Sequence, residues 1–390
     1  MYDWLVVGAG FSGAVMAERI ATRLGQRVLV IDQRNHIAGN AHDHPDDSGV
    51  MVHAYGPHIF HTNSQRVWDY LSGFTDWRPY EHRVRAVIDG KQIPVPFNLT
   101  SLQMLYSKRD ARRLEKVLRQ RYGAGAHVPI LKMREETDPQ LTELAERIYE
   151  QIFLGYTIKQ WGLRPEELAA SVTARIPIRI SRDDRYFQDR YQSMPLEGYT
   201  AMFQRLLSHR NIRVILGLNW RELPKSVRYR RIIFTGPIDE FFHYMHGPLP
   251  YRSLRFEFEH AAADFAQDVA QLNFPSSHAY TRITEFKHLT GQKIAGTTLA
   301  REFPQPHVPG RNEPFYPIPR EQNRSIFEKY RNEASKLAGQ VIFTGRLADY
   351  QYYNMDQVVA RALSVFEQEV AANESGLRGL GEPQPKIAAA

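Results

Sequence analysis

A strand, a glycine-rich turn, a helix and a second strand tipped with an acid follow one another within the first 32 residues, and that order admits few folds. Tyr2 to Val7 is a short apolar run, YDWLVV. It leads straight into Gly8-Ala-Gly10-Phe11-Ser12-Gly13 and then the helix-like AVMAERIATRLG. Arg27 to Ile31 is the next strand, and Asp32 is its tip. Each part has a mechanical reason. Gly8 permits the tight turn, Gly10 lets backbone N–H groups approach a pyrophosphate, and Gly13 lets the helix pack closely on the strand. Phe11 and Ser12 belong to the same turn and are assigned to the cofactor with it. The helix N-terminus favours anionic phosphates, and Asp32 can accept hydrogen bonds from a ribose diol. The pattern predicts a dinucleotide-binding unit; the competing reading is a glycine-rich turn that binds nothing.

The polar run after Asp32 favours FAD over NAD. Gln33 opens it, and Gly39-Asn40 lie inside RNHIAGNAHDH. FAD-type domains place such a small turn under the second phosphate, whereas NAD domains more often enter another helix at once. The alternative is a surface loop that uses Gly39 for its own turn.

At 390 residues the chain is long enough for about two to three domains. It has no uninterrupted apolar run of about 18 residues, so no membrane span is expected. The chain enters its first strand at once, which leaves no room for a signal peptide. The absence of cysteine excludes disulfides, thiolate metal sites, cysteine nucleophiles and redox-active dithiols, and points to a cytoplasmic enzyme. The formal charge of +7 comes from basic residues interleaved with acids, as in Arg109-Asp-Ala-Arg-Arg-Leu-Glu-Lys116. That pattern argues against nucleic acid and for an anionic, phosphorylated small substrate. His44, His53, His58 and His61 share a short span without metal-ligand spacing, and no metal is expected.

Periodicity sets the organisation. The fold class is α/β: a discontinuous Rossmann-like FAD-binding domain (1–78, 191–247 and 321–373) interrupted by two insertions. One is helical, 98–170, with Leu141, Leu144, Ile148 and Ile152 at helical spacing after an entry at Thr137-Asp138-Pro139. The other is an antiparallel sheet, 248–320, joined by 79–97, with its hairpin at Asp89-Gly90, and by 171–190. Residues 374–390 read as a flexible tail. Strand RIIFTGP brings Gly236 to the sheet end. Phe343-Thr-Gly345-Arg346 closes the last strand, and Asn354, Met355 and Asp356 open the last helix, where they either contact the flavin or only cap the helix.

Five segments together resemble the bacterial type of UDP-galactopyranose mutase, over essentially the whole chain and in the same order. They are GAGFSGAVMAE with HIAGNAHD, YGPHIFHT at 55–62, GYTIKQWG at 155–162, YTRITEFKH at 280–288 and FTGRLADYQYYNMD at 343–356. The resemblance implies an FAD-dependent isomerase that interconverts UDP-galactopyranose and UDP-galactofuranose without net redox change. The flavin must be reduced, by an external donor such as NAD(P)H, and its N5 attacks the anomeric carbon as UDP leaves. The family is usually dimeric and serves galactofuranose supply for cell-surface glycans.

The resemblance also implies roles. Arg175 and Arg282 match the family's two diphosphate arginines, a task that suits a bidentate permanent cation. Arg175 ends GLRPEELAASVTAR, which is similar to a mobile loop (about 162–176) that closes over substrate. Period-two alternation would put Tyr280, Arg282 and Thr284 on one strand face. Tyr156, Tyr186, Tyr316 and Tyr352 fall on positions lining the UDP site. Phe153 and Tyr156 would flank the uracil, and Trp161 would shape the sugar side. Many members carry two consecutive phenylalanines where this chain has Ile152-Phe153, so stacking at the first position is in question. Asn273 and His82 match positions near the substrate. Gly56-Pro57-His58, with Ile59, would lie against the flavin, and His58, neutral or protonated, would act in catalysis by favouring the reduced anionic flavin or moving with its redox state. Two other classes remain open: an amine-oxidase-type FAD oxidoreductase, and a nucleotide-binding protein without catalysis.

Overall fold

The computed structural model describes residues 1–372; the tail expected at 374–390 lies outside the described residues. Its centre is a five-stranded sheet in the order Ile212–Leu216, Val28–Asp32, Tyr2–Val7, Tyr229–Phe234, Val341–Phe343. All four strand pairs are parallel, with Leu5 between Leu29 and Ile232. A parallel sheet needs cover on both faces, and the side-chain alternation of Tyr2–Val7 supplies it. Trp4 and Val6 face one apolar cluster with Val15, Met16 and Ile20 of helix Phe11–Leu24 and with Val359 of helix Met355–Val365. Leu5 faces the other cluster with Leu29, Ile31 and Phe234. The chain leaves this sheet after Asp32 and after Phe234, returning at Ile212 and Val341. Both long excursions therefore start from the carboxyl ends of strands.

The second sheet has seven strands: Tyr316–Pro317, Tyr251–Ala261, Thr297–Pro306, Arg282–Glu285, Gln271–Asn273, Val84–Ile88 and Lys91–Val95. It is antiparallel except where Gln271–Asn273 runs parallel to Val84–Ile88. These two strands come from different excursions, so no hairpin constrains their direction. Residues 171–190, grouped with this sheet as an irregular or extended segment, contribute no strand to it. They hold the short helix Ala170–Ala174, pair Ile178–Arg179 with His127–Val128 in a separate ribbon, and touch the sheet's flank through a single Arg83–Arg185 bridge. The buried Arg179 guanidinium donates to the carbonyls of Arg185 and Tyr186, which bends this segment back on itself.

Helix Pro139–Ile148 starts as its sequence implies. Asp138 caps it by accepting from Gln140 N and Leu141 N, and Pro139 occupies the first turn. It does not run through Ile152 as one α-helix. A π-helical stretch, Tyr149–Leu154, intervenes before helix Gly155–Trp161, and its extra residue per turn rotates Phe153 and Tyr156 relative to a continuous α-helix. Tyr280 does not share a strand with Arg282; that strand begins at Arg282, and the Tyr280 carbonyl accepts from Lys159. A three-stranded ribbon, Phe60–Thr62, Tyr191–Pro195 and Trp77–Pro79, fixes the segment after His58. Among the described residues no helix is long and apolar enough to cross a membrane.

Candidate active site

At the carboxyl end of the parallel sheet the glycine turns build a cradle. Gly8 has φ +107°, and a Cβ there would sit 2.0 Å from Thr235 Oγ1; a Cβ on Gly13 would sit 1.9 Å from Gly8 O. Gly39 approaches Gly10 so closely that a Cβ on Gly39 would lie 3.0 Å from Gly10 Cα. Asp32 ties the turns together: its carboxylate accepts from Ala9 N at 2.8 Å and from Arg34 N at 2.9 Å. Gly8, Gly10, Phe11, Ser12, Asp32, Gln33, Gly39, Asn40, His58, Gly236, Gly345, Arg346 and Met355 all line one open cavity of about 240 Å³. The buried Ser12 Oγ has no partner among the described residues and sits at the N-terminus of helix Phe11–Leu24. An unsatisfied hydroxyl there, beside orphan backbone N–H groups, suits a pyrophosphate. The residues present therefore fit a dinucleotide such as FAD.

Four residues expected on this cavity do not line it. Gly13 is consumed by helix–strand packing, and Ile59 joins the core. Asn354 caps helix Met355–Val365, with its backbone N–H donating to Gln357. Asp356 accepts from Thr62 Oγ1 at 2.9 Å.

A second cavity is lined by Phe153, Tyr156, Trp161, Tyr186 and Asn273, together with Thr157, Thr173, Ile176 and Pro275. Tyr316, Tyr352 and Trp161 form a mutual ring cluster, with centroids 5.2 to 6.1 Å apart. Arg175 stacks over the Tyr352 ring at 4.1 Å and donates to Tyr352 O at 3.1 Å and to the Asn354 side chain. The loop that carries Arg175 thus reaches the cap of the helix beside the dinucleotide cavity. Arg282 enters from the sheet, where Glu302 accepts from its Nε at 2.9 Å and from a terminal nitrogen at 2.6 Å. Arg346 lies 5.6 Å from the Tyr316 ring.

Residues 151–352 match the UDP-galactopyranose mutase family, and residues 6–74 match an NAD(P)-binding Rossmann-like domain. The probable UDP-galactopyranose mutase of Klebsiella pneumoniae is 37% identical, covering 93% of this chain and 94% of that protein. The chain belongs to the UDP-galactopyranose mutase family. A second relative, the dTDP-fucopyranose mutase of Escherichia coli, is 35% identical with 95% and 99% covered. In fold, the chain is similar to a crystal structure of reduced UDP-galactopyranose mutase, with TM-score 0.73, 15% identity, and 95% and 96% of the two chains covered. A putrescine oxidase variant, with TM-score 0.60, 11% identity, and 95% and 99% covered, shares the fold alone.

The electrostatics of this mutase-family site are set by burial. His58 donates from Nδ1 to Gly56 O at 2.8 Å, and its backbone N–H donates to His53 Nδ1 at 3.0 Å. Burial, then the neighbouring His53, pushes the His58 pKa down to about 3. The ring is therefore neutral, with Nε2 left as an acceptor. Burial pushes the Tyr186 hydroxyl up to about 12 and raises Tyr156 and Tyr316 as well, so all three stay neutral donors. His82 does not line the second cavity. It lies buried behind Tyr186, with ring centroids 5.7 Å apart, and pairs with Tyr80 OH at 3.1 Å.

Sequence reasoning missed Arg34, Glu313, Glu302 and Pro275. Arg34 and Glu313 close a bidentate pair across the dinucleotide cavity from positions 279 residues apart. No local pattern announces such partners. Glu302 had one available signal: alternation along Thr297–Pro306, a strand adjacent to that of Arg282.

Proposed function

We propose that the protein interconverts the pyranose and furanose forms of a nucleotide-diphosphate sugar, with UDP-galactose as substrate and reduced FAD as cofactor. The observation that carries this reading is the convergence of Arg282, Arg175 and three neutral, half-buried tyrosines around one site beside a dinucleotide cavity. Two guanidiniums suit a diphosphate that must leave and return, because they bind the dianion without a proton to lose. The phenols add donors without adding charge. Arg282 is pre-aimed by Glu302, so little reorganisation is needed when charge develops on the leaving group. Arg175 arrives on a loop and can exclude water as it docks on Tyr352 and Asn354. Neutral His58 offers an acceptor and no positive charge. FAD in its reduced form supplies the nucleophile for the anomeric carbon. An external donor such as NAD(P)H maintains that form, and the protein acts as a cytoplasmic homodimer.

The Escherichia coli relative supports a second reading, in which the sugar is a 6-deoxy sugar on dTDP. One experiment tests both. The flavin-loaded protein is incubated anaerobically with UDP-galactofuranose or dTDP-fucofuranose, with and without dithionite, and the products are separated by chromatography. UDP-galactopyranose formed only with reductant is the expected result. Conversion of the dTDP sugar alone moves the protein to the second reading. Hydrogen peroxide production with net substrate oxidation overturns both in favour of an oxidase.

A further inference from the structure

The segment 155–162, GYTIKQWG, gives Tyr156, Thr157 and Trp161 to the nucleoside cavity, yet its Gly155 and Lys159 line neither cavity. Both face the loop 274–281 instead. The Lys159 ammonium donates to the carbonyls of Phe274, Ser277, His278 and Tyr280, the last three at 3.2, 3.3 and 3.2 Å. An ammonium has three N–H donors, so four convergent carbonyls satisfy it completely. Lys159 forms no ion pair among the described residues. Gly155 lies one turn earlier on the same helix face. A Cβ there would be 2.6 Å from Pro275 O, so the helix backbone sits directly on the loop.

The loop is not remote from the chemistry. Pro275, at its start, and Asn273, at the end of the strand before it, line the nucleoside cavity together with Tyr156 and Trp161. Its far end runs into strand Arg282–Glu285 and thus into the guanidinium assigned to the diphosphate. The helix C-terminus is pinned independently, by the buried Arg252, which donates to Gln160 O at 2.9 Å and Lys159 O at 3.1 Å. Movement at Lys159 would therefore fall on the loop rather than on the helix.

We infer that Lys159 is a positioning residue: by gathering the carbonyls of 274–281 onto one cation, it fixes where this loop borders the nucleoside cavity, and so sets affinity for the nucleotide diphosphate without touching it. This rests on the nucleotide-sugar reading of the site. A tether that served only stability would lower the melting temperature and leave affinity in the folded fraction unchanged.

The test uses the flavin-loaded protein with UDP as probe. Calorimetric titration of Lys159→Met should show UDP bound about tenfold more weakly, the scale of losing charge-assisted hydrogen bonds. KM should rise by a similar factor, while kcat and flavin content stay within about twofold of wild type. Lys159→Arg, which keeps a cation with N–H donors, should lie closer to wild type than Lys159→Met. If Lys159→Met does not accumulate, Gly155→Ala carries the test with the same expectation, because its methyl group forces the loop at Pro275 off the pinned helix. Wild-type UDP affinity in flavin-loaded Lys159→Met or, failing that variant, in Gly155→Ala overturns the inference. A wild type that binds no UDP removes the nucleotide-sugar reading and this one together. A wild type that binds UDP as well as its variants do removes this one alone.

Discussion

Arg282 and Arg175 bring the same guanidinium to the site, but different chemistry holds them. Glu302 is 1% exposed and grips Arg282 through two hydrogen bonds, whereas Arg175 rests on a carbonyl, an amide and a ring face. Both Arg→Ala variants should lose turnover by about two to three orders of magnitude, as when one charge-stabilising donor is removed, with flavin content normal. Their stabilities should separate. Arg282→Ala strands a buried carboxylate and should cost about 3–5 kcal/mol, while Arg175→Ala should cost about 1 kcal/mol or less. Parallel steady-state assays and denaturant titrations check this; equal losses of stability would mean that Glu302 is not the support of Arg282. Asp32 carries a separate expectation. Asp32→Ala removes the acceptor that joins Ala9 N to Arg34 N and should weaken FAD retention about tenfold, the scale of losing hydrogen bonds to a charged group. Any residual loaded enzyme should turn over normally. Unchanged flavin loading on dialysis would contradict that role. Asp32 was legible from its local motif, and the two arginines only through the family resemblance. Glu302 and Arg34 were not, because their meaning lies in partners contributed by other segments.

Glycine turns and helix starts carry most of the information legible between residues. The strand–turn–helix–strand opening and the Asp138-Pro139 entry appear as read, because capping and tight turns are decided by a few adjacent residues. The π-helical stretch at Tyr149–Leu154 was not legible. Apolar spacing is compatible with either winding over so short a run, and packing decides between them. The contact between Gly39 and Gly10 gives a test of the cradle. With φ +55° and 3.0 Å of clearance, Gly39→Ala should cost about 1 kcal/mol in backbone strain. It should also lower flavin occupancy, read from the absorbance ratio of the purified protein. Full occupancy would show that the two turns need not touch. Asn354→Ala keeps the backbone N–H bond to Gln357 at the start of helix Met355–Val365 and should cost less than about 1 kcal/mol in denaturant titrations. It also removes one of the groups that receive Arg175.

Across the entire chain, the neutral histidines make stability depend on acidity. Burial drives His53, His58 and His82 down to about 3, against about 6.5 in an unfolded chain. Between those values the unfolded chain binds protons that the folded chain refuses, so stability is complete above about pH 6.5 and is lost as pH falls toward 3. The melting temperature should fall steadily from pH 7 to pH 4.5, and the fall should be shallower in His82→Asn. A flat profile down to pH 5 would show that these rings protonate within the fold. The α/β class, the nucleotide-binding opening and the family were fixed by local order, because turns, caps and motif residues act over a few positions. Which segments join the seven-stranded sheet was not, since Val84–Ile88 meets Gln271–Asn273 from nearly two hundred residues away. The meeting of Arg175, Arg282 and the tyrosines in one place, and of Lys159 with four carbonyls of a distant loop, likewise came from packing. Burial and long-range partners set charge, protonation and reach, and these belong to the folded chain rather than to any stretch of it.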